Sequence, residues 1–259
     1  MSTTNIVLGL LPGTGDRAIA VGSHSCTAFE GAVCDTIGVV GTLAVAKHFA
    51  QLPLEKREKT MLFFFDSFHV WGNCCQTAIT ILDRYKTLTS HVDAMIWLDH
   101  IGDGRKETRH TTTVSDNPVV WPLTALTQLK YGITPYVLPK AQIWSICATG
   151  AYQRIGIPTV TAQAMNEYTL TPEDTWDKFN PDVVFRDILT HIDLAEGLQK
   201  LNIPADEPAE PFGGCGSLFT DISQPEYPEG ESYTPEPDYP LYVGGAETPI
   251  TIEFRKNKA

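Results

Sequence analysis

NIVLGLLPGTGDRAIAVGSHS, residues 5–25, holds two apolar runs of strand length on either side of a turn rich in glycine and proline. Asn5 to Leu11 and Ala18 to Ser23 are short and bounded by turn formers, the pattern of strands buried on both faces. Val39 to Leu52, next along the chain, changes to helical length and spacing. Further out, Met61 to Phe65, Ala94 to Leu98 and Thr159 to Ala162 repeat the strand pattern. Asn73 to Tyr85, Val119 to Leu129 and Pro181 to Leu201 repeat the helical one, the last with Asn180 as cap and Pro181 at the first helical position. This alternation predicts an α/β fold, a three-layer sandwich around a mostly parallel mixed sheet. Sheets of that kind bind ligands beyond the carboxyl ends of their strands. The segments expected there are SHSCTAFEGAVCDTIG (23–38), FDSFHVWG (65–72), LDHIGDG (98–104) and NEYTLTPEDTWD (166–177).

At 259 residues and 42% hydrophobic, the chain has enough apolar material for one large core. The formal charge of −12 argues against nucleic acid or an anionic membrane as partner, because neither attracts an acidic surface. That acidity is concentrated. Nine acids and eight prolines fall between Pro204 and Pro240 with no lysine or arginine, which leaves −3 for the rest of the chain. Residues 1–203 are therefore expected to form the domain, and residues 204–259 an extension rich in proline and acid that lies outside the core. No run of 18 apolar residues and no signal-peptide pattern is found, so the expectation is a soluble, cytoplasmic protein. The six cysteines have neither CxxC spacing nor a dense framework, and most are expected to be buried thiols.

The strand-end segments, taken in order, resemble the zinc aminopeptidases of the bacterial leucyl aminopeptidase and aminopeptidase Y type, family twenty-eight of the metallopeptidases. The likeness runs from residue 5 to about residue 200 and implies a zinc-exopeptidase type of fold. That family holds two zinc ions on five side chains and uses a glutamate as general base. The first histidine, of an H-x-D motif, matches His24, with Cys26 in place of the aspartate. The bridging aspartate stands four residues before a glycine that matches Gly38; here Cys34 takes it, followed by Asp35. Of the E-E pair, base and then ligand, the positions hold Phe68 and His69. The aspartate of L-D-M-I-G matches Asp99, with His100 in the methionine place. The final histidine falls on Leu170, ahead of Thr171, Pro172, Glu173 and Asp174, and the S-D-H element reads Cys147, Ala148, Thr149.

The resemblance thus implies a degenerate site. Phe68 can neither accept a proton nor orient water, so the general base is gone. The residues left for metal are His24, Cys34, His69 and Asp99, no catalytic residue is assigned, and the cofactor is one zinc or none. With His69 swung inward these four would close a single zinc; a second ion would have too few ligands. Two functions remain open. One is a pseudoenzyme that binds a peptide, a small molecule or a protein partner in the strand-end pocket. The other is an enzyme with one zinc or none, a hydrolase, cyclase or lyase acting on an amino-acid-derived substrate. Cys34 alone also reads as a plain buried thiol or a nucleophile. His91, His100 and His110 match no position of the pattern and are expected at the surface or behind the site, while Trp71, Trp97 and Trp121 are expected in the core.

Overall fold

Continuous apolar runs give each central strand two buried faces, and those faces set the layers. The computed structural model describes residues 7–67, 89–102, 111–134, 137–138, 149–163 and 167–208. The expected helix at Asn73 to Tyr85 and the segment beyond residue 208 lie outside these residues. Five strands occur close to where the apolar runs place them: β1 (Val7–Leu11), β2 (Ala18–His24), β3 (Thr60–Asp66), β4 (Val92–Asp99) and, later, β7 (Thr159–Gln163). Two more, β5 (Thr111–Val114) and β6 (Val137–Leu138), join them in one sheet of order β1-β3-β2-β4-β7-β5-β6. Strands β3, β2, β4 and β7 run parallel, while β1 pairs antiparallel with β3 and β5 antiparallel with β7. The sheet is mixed, and parallel at its centre.

On one face, Ile19, Val21, Met61, Phe63, Ile96 and Leu98 pack in a single core with side chains of α1 (Ile37–Gln51) and the last helix, α4 (Pro181–Gln199). α2 (Val120–Lys130) packs beside α4. Ala32–Gln51, the turn before α1 together with α1, is long and apolar enough by composition to cross a membrane. It packs instead on β2, β3, β4 and α4, so its apolarity is that of a core helix. The opposite face carries an aromatic stack: Phe64 lies 5.5 Å from Trp97 and 6.0 Å from Tyr152 of α3 (Thr149–Arg154). Gly22 permits that stack, because a Cβ there would sit 2.9 Å from the Phe64 ring. Trp97 is fully buried as expected, whereas Trp121 is 42% exposed on α2.

α4 opens as the sequence predicts, with the Asn180 side chain accepting from the Asp182 amide at 3.0 Å and Pro181 in the first turn. Such a cap is worth about 1 kcal/mol. Past α4, Asn117 Nδ2 donates to the Pro204 carbonyl and the Asp206 carboxylate, and the Asp206 amide donates to the Gly156 carbonyl. The first residues of the acidic segment are therefore tied to the body.

Candidate functional site

Parallel pairing in register brings His24 of β2 beside Asp66 of β3, and Asp99 of β4 beside Gln163 of β7, at one end of the sheet. The turn Ala32–Thr36 closes over this end, with Cys34 and Asp35 in non-helical backbone conformations and a cis peptide between them. Asp35 is held from two sides. Its Oδ1 accepts from the amides of Gly38 and His100, both at 3.0 Å. Gly38 has to be glycine there, since a Cβ would come within 2.2 Å of the Asp35 carboxylate oxygens. Asp174 fixes the same turn from the other loop, its Oδ1 and Oδ2 accepting from the amides of Val33 and Cys34, each at 2.9 Å.

The resulting cluster is buried: His24 and Asp99 are 0% exposed, Asp35 1%, Cys34 2% and His100 5%. His24 Nδ1 lies 2.8 Å from the Cys26 carbonyl, which can only accept, so Nδ1 carries the proton. The Nε2 of the neutral ring then turns a lone pair toward Asp99 Oδ1 at 3.3 Å and Asp35 Oδ2 at 3.8 Å. A lone pair facing two carboxylate oxygens is repulsive unless a proton or a metal ion lies between them. Without a metal the proton is the answer. Burial alone would lower the His24 pKa, but the Asp35 charge and the hydrogen bond to Asp99 hold it raised. Burial raises Asp35 and the Cys34 thiol, in each case opposed by His24, and lowers His100.

His24, Cys34 and Asp99, three of the residues the resemblance assigns to metal, meet here, and His69 lies outside the described residues. Leu170, in the loop that carries Asp174, is 46% exposed with φ of 64° and offers no lone pair. Two residues join that the sequence did not put forward as ligands. Asp35 turns its unbonded Oδ2 toward His24. His100, expected at the surface or behind the site, is buried with Nε2 3.0 Å from Asp99 Oδ1 and its ring 5.7 Å from that of His24. Its signal was local: β4 ends at Asp99, and His100 has φ of 53°, which breaks strand alternation and swings the ring to the Asp99 side. Two cavities lined by described residues lie elsewhere, one against β1 and β3 and one by Arg17 and Asp93, and neither touches this cluster.

No protein-family model and no curated protein matches the sequence. Solved structures do. BSAP, a zinc aminopeptidase from Bacillus subtilis, aligns with a TM-score of 0.65 at 14% identity, over 81% of this chain and 53% of its own. The fold is that of the zinc aminopeptidases. The LapA aminopeptidase of Legionella pneumophila gives a TM-score of 0.64 at 15% identity over 76% of this chain and 56% of its own. Nicastrin, a component of gamma-secretase, shares the aminopeptidase fold at a TM-score of 0.59 and 16% identity, over 74% of this chain and 42% of its own. The chain spans about half the length of the aminopeptidases it matches.

An aminopeptidase fold of this kind implies zinc, and the cluster suits one ion. Tetrahedral zinc with nitrogen and oxygen ligands sets neighbouring donor atoms roughly 3.4 Å apart. The separations of 3.0 Å between His100 and Asp99, 3.3 Å between His24 and Asp99 and 3.8 Å between His24 and the unbonded Asp35 Oδ2 bracket that value.

Proposed function

We propose that this chain is a degenerate aminopeptidase-fold protein that carries out no two-zinc peptide hydrolysis and binds a peptide, a small molecule or a protein partner at the carboxyl end of its sheet. The observation that carries this reading is the burial of the whole cluster, none of whose five members exceeds 5% exposure. Hydrolysis by a metal pair needs an open coordination position for water and a base beside it. None of the five described donors is open to solvent, and the positions that the resemblance gives to the base and the final histidine hold Phe68 and Leu170, which can neither accept a proton nor bind a metal. Such a site can still organise the loops around it. Exposed Phe29, Leu170 and Trp176 on those loops supply apolar contact surface for a ligand.

The test is turnover of leucyl and related aminoacyl substrates by the full chain with added zinc. The expected result is release no faster than a buffer blank. Release of the N-terminal residue at an ordinary enzymatic rate, abolished by a chelator, would sink the reading. A second reading, an enzyme with one metal or none working on an amino-acid-derived compound, draws support from the close grouping of Cys34 with His24 and His100. Against it, burial raises that thiol, and nucleophilic cysteines need the opposite shift and access to substrate.

A further inference from the structure

His100 is out of place as a structural residue. It is 5% exposed, and neither Nδ1 nor Nε2 has a hydrogen-bond partner. Its Nε2 comes within 3.0 Å of Asp99 Oδ1, yet out of line for a hydrogen bond. A buried imidazole with both nitrogens unsatisfied is costly, and a histidine at φ 53° adds backbone strain. Buried polar groups without a protein partner are met by a water, a ligand or an ion.

Two overlapping sets of donors share His24. One is His24, Asp35 and Asp99; the other is His24, Cys34 and His100, and within each set the ligand atoms all lie within 4.8 Å of one another. The first is hard and leaves His100 unexplained. The second gives His100 its partner. We propose that this chain holds one borderline-soft divalent ion, zinc or its like, on His24, Cys34 and His100, whose donor atoms lie together. His100 thereby takes up a ligand role that the resemblance assigns to no residue at its position. The Cys26 carbonyl on Nδ1 already fixes the His24 tautomer that a metal requires at Nε2. Imidazole and thiolate donors select zinc and cobalt over magnesium or calcium. Such an ion would tie the Cys34 turn to the ends of β2 and β4.

This rests on the reading of the site as non-hydrolytic, but the two fail separately: peptidase turnover would sink that reading, whereas the present one is judged by cobalt as an optical probe. Titration of the chelator-treated full chain with Co2+ is expected to saturate at one equivalent. It should produce tetrahedral d–d bands and a thiolate-to-cobalt charge-transfer band. Cys34→Ser should abolish the charge-transfer band, and His100→Gln should weaken binding by more than about tenfold. Circular dichroism of the metal-free variants checks that each is folded. Should a variant not fold, zinc-edge X-ray absorption on the wild-type chain decides instead, with one sulfur scatterer expected at about 2.3 Å. Saturation at two equivalents, no binding, binding without the charge-transfer band, unchanged affinity in His100→Gln, or a zinc shell without sulfur would each overturn the proposal.

Discussion

Strand β4 buries an aspartate near each end, and the two ends neutralise it differently. Near the start, Asp93 is 7% exposed and meets two permanent cations, Arg17 at 2.5 Å and Lys59 at 2.7 Å. Lys59 is tied further, its ammonium donating to the Leu201 carbonyl at 2.6 Å and its amide to Gln199 Oε1 at 2.8 Å. At the far end, Asp99 lies with Asp35 among two imidazoles and a thiol. No lysine or arginine among the described residues forms an ion pair there. One end carries its counter-charge in the sequence. The other has to acquire it, as a proton on His24 or as a bound cation.

The largest effect is expected where the counter-charge is built in. Lys59→Met keeps the aliphatic stem and removes the ammonium, leaving Asp93 short of a partner in a nearly closed site. Urea unfolding at pH 7 should show a loss of about 3 kcal/mol. A loss below about 1 kcal/mol would mean that Arg17 alone suffices and that the two ends differ less than their geometry implies. At the other end the sign should reverse. In metal-free protein Asp35→Asn removes a carboxylate that burial disfavours and keeps an oxygen for the Gly38 and His100 amides. It should be neutral or stabilising by about 1 kcal/mol in the same assay. A clear destabilisation would show that the His24–Asp35 charge pair holds this end together without metal.

A third effect, read as a difference in pH dependence, concerns Asp187 of α4, whose Oδ2 accepts from the Gly102 amide at 3.2 Å just past His100. Burial pushes its carboxyl up from 3.8 to about 7, with Arg186 opposing. A folded-state pKa above the unfolded value means that the folded protein binds the extra proton. This group's stabilising contribution is therefore complete below about pH 4 and lost as the pH rises to about 7. Thermal melts from pH 5 to pH 8 should show wild type losing stability more steeply than Asp187→Asn. Parallel profiles would remove Asp187 from the account.

The central strands were legible because their burial is written in apolar runs, and α4 because its cap and proline are local signals. Strands β5 and β6 were not legible. Thr111–Val114 has three threonines and Val137–Leu138 only two residues, and both become strands by pairing with neighbours that sequence reading cannot place. The same limit governs the site. His24, Cys34 and Asp99 were named through the resemblance and do meet, although their joint role as ligands remains a proposal. Asp35 escaped notice because it falls beside, not on, the ligand positions of the resemblance; one of its oxygens takes the Gly38 and His100 amides and the other turns to His24. His100 escaped because adjacent strand residues ordinarily face opposite ways, and only its positive φ puts it beside Asp99.

Asp174 clasps two neighbouring amides of the Cys34 turn while sitting in the loop that also carries Leu170 and Trp176. Its main-chain carbonyl takes a third, that of Ala32, at 3.1 Å. The two loops are thereby splinted into a single mechanical part. A ligand that leans on Leu170 or Trp176 at the surface pulls, through this splint, on the segment holding Cys34 beneath. Whatever lands on the outer loop can be felt as a change of tension in the buried cluster, and a shift in the cluster can re-aim the outer loop.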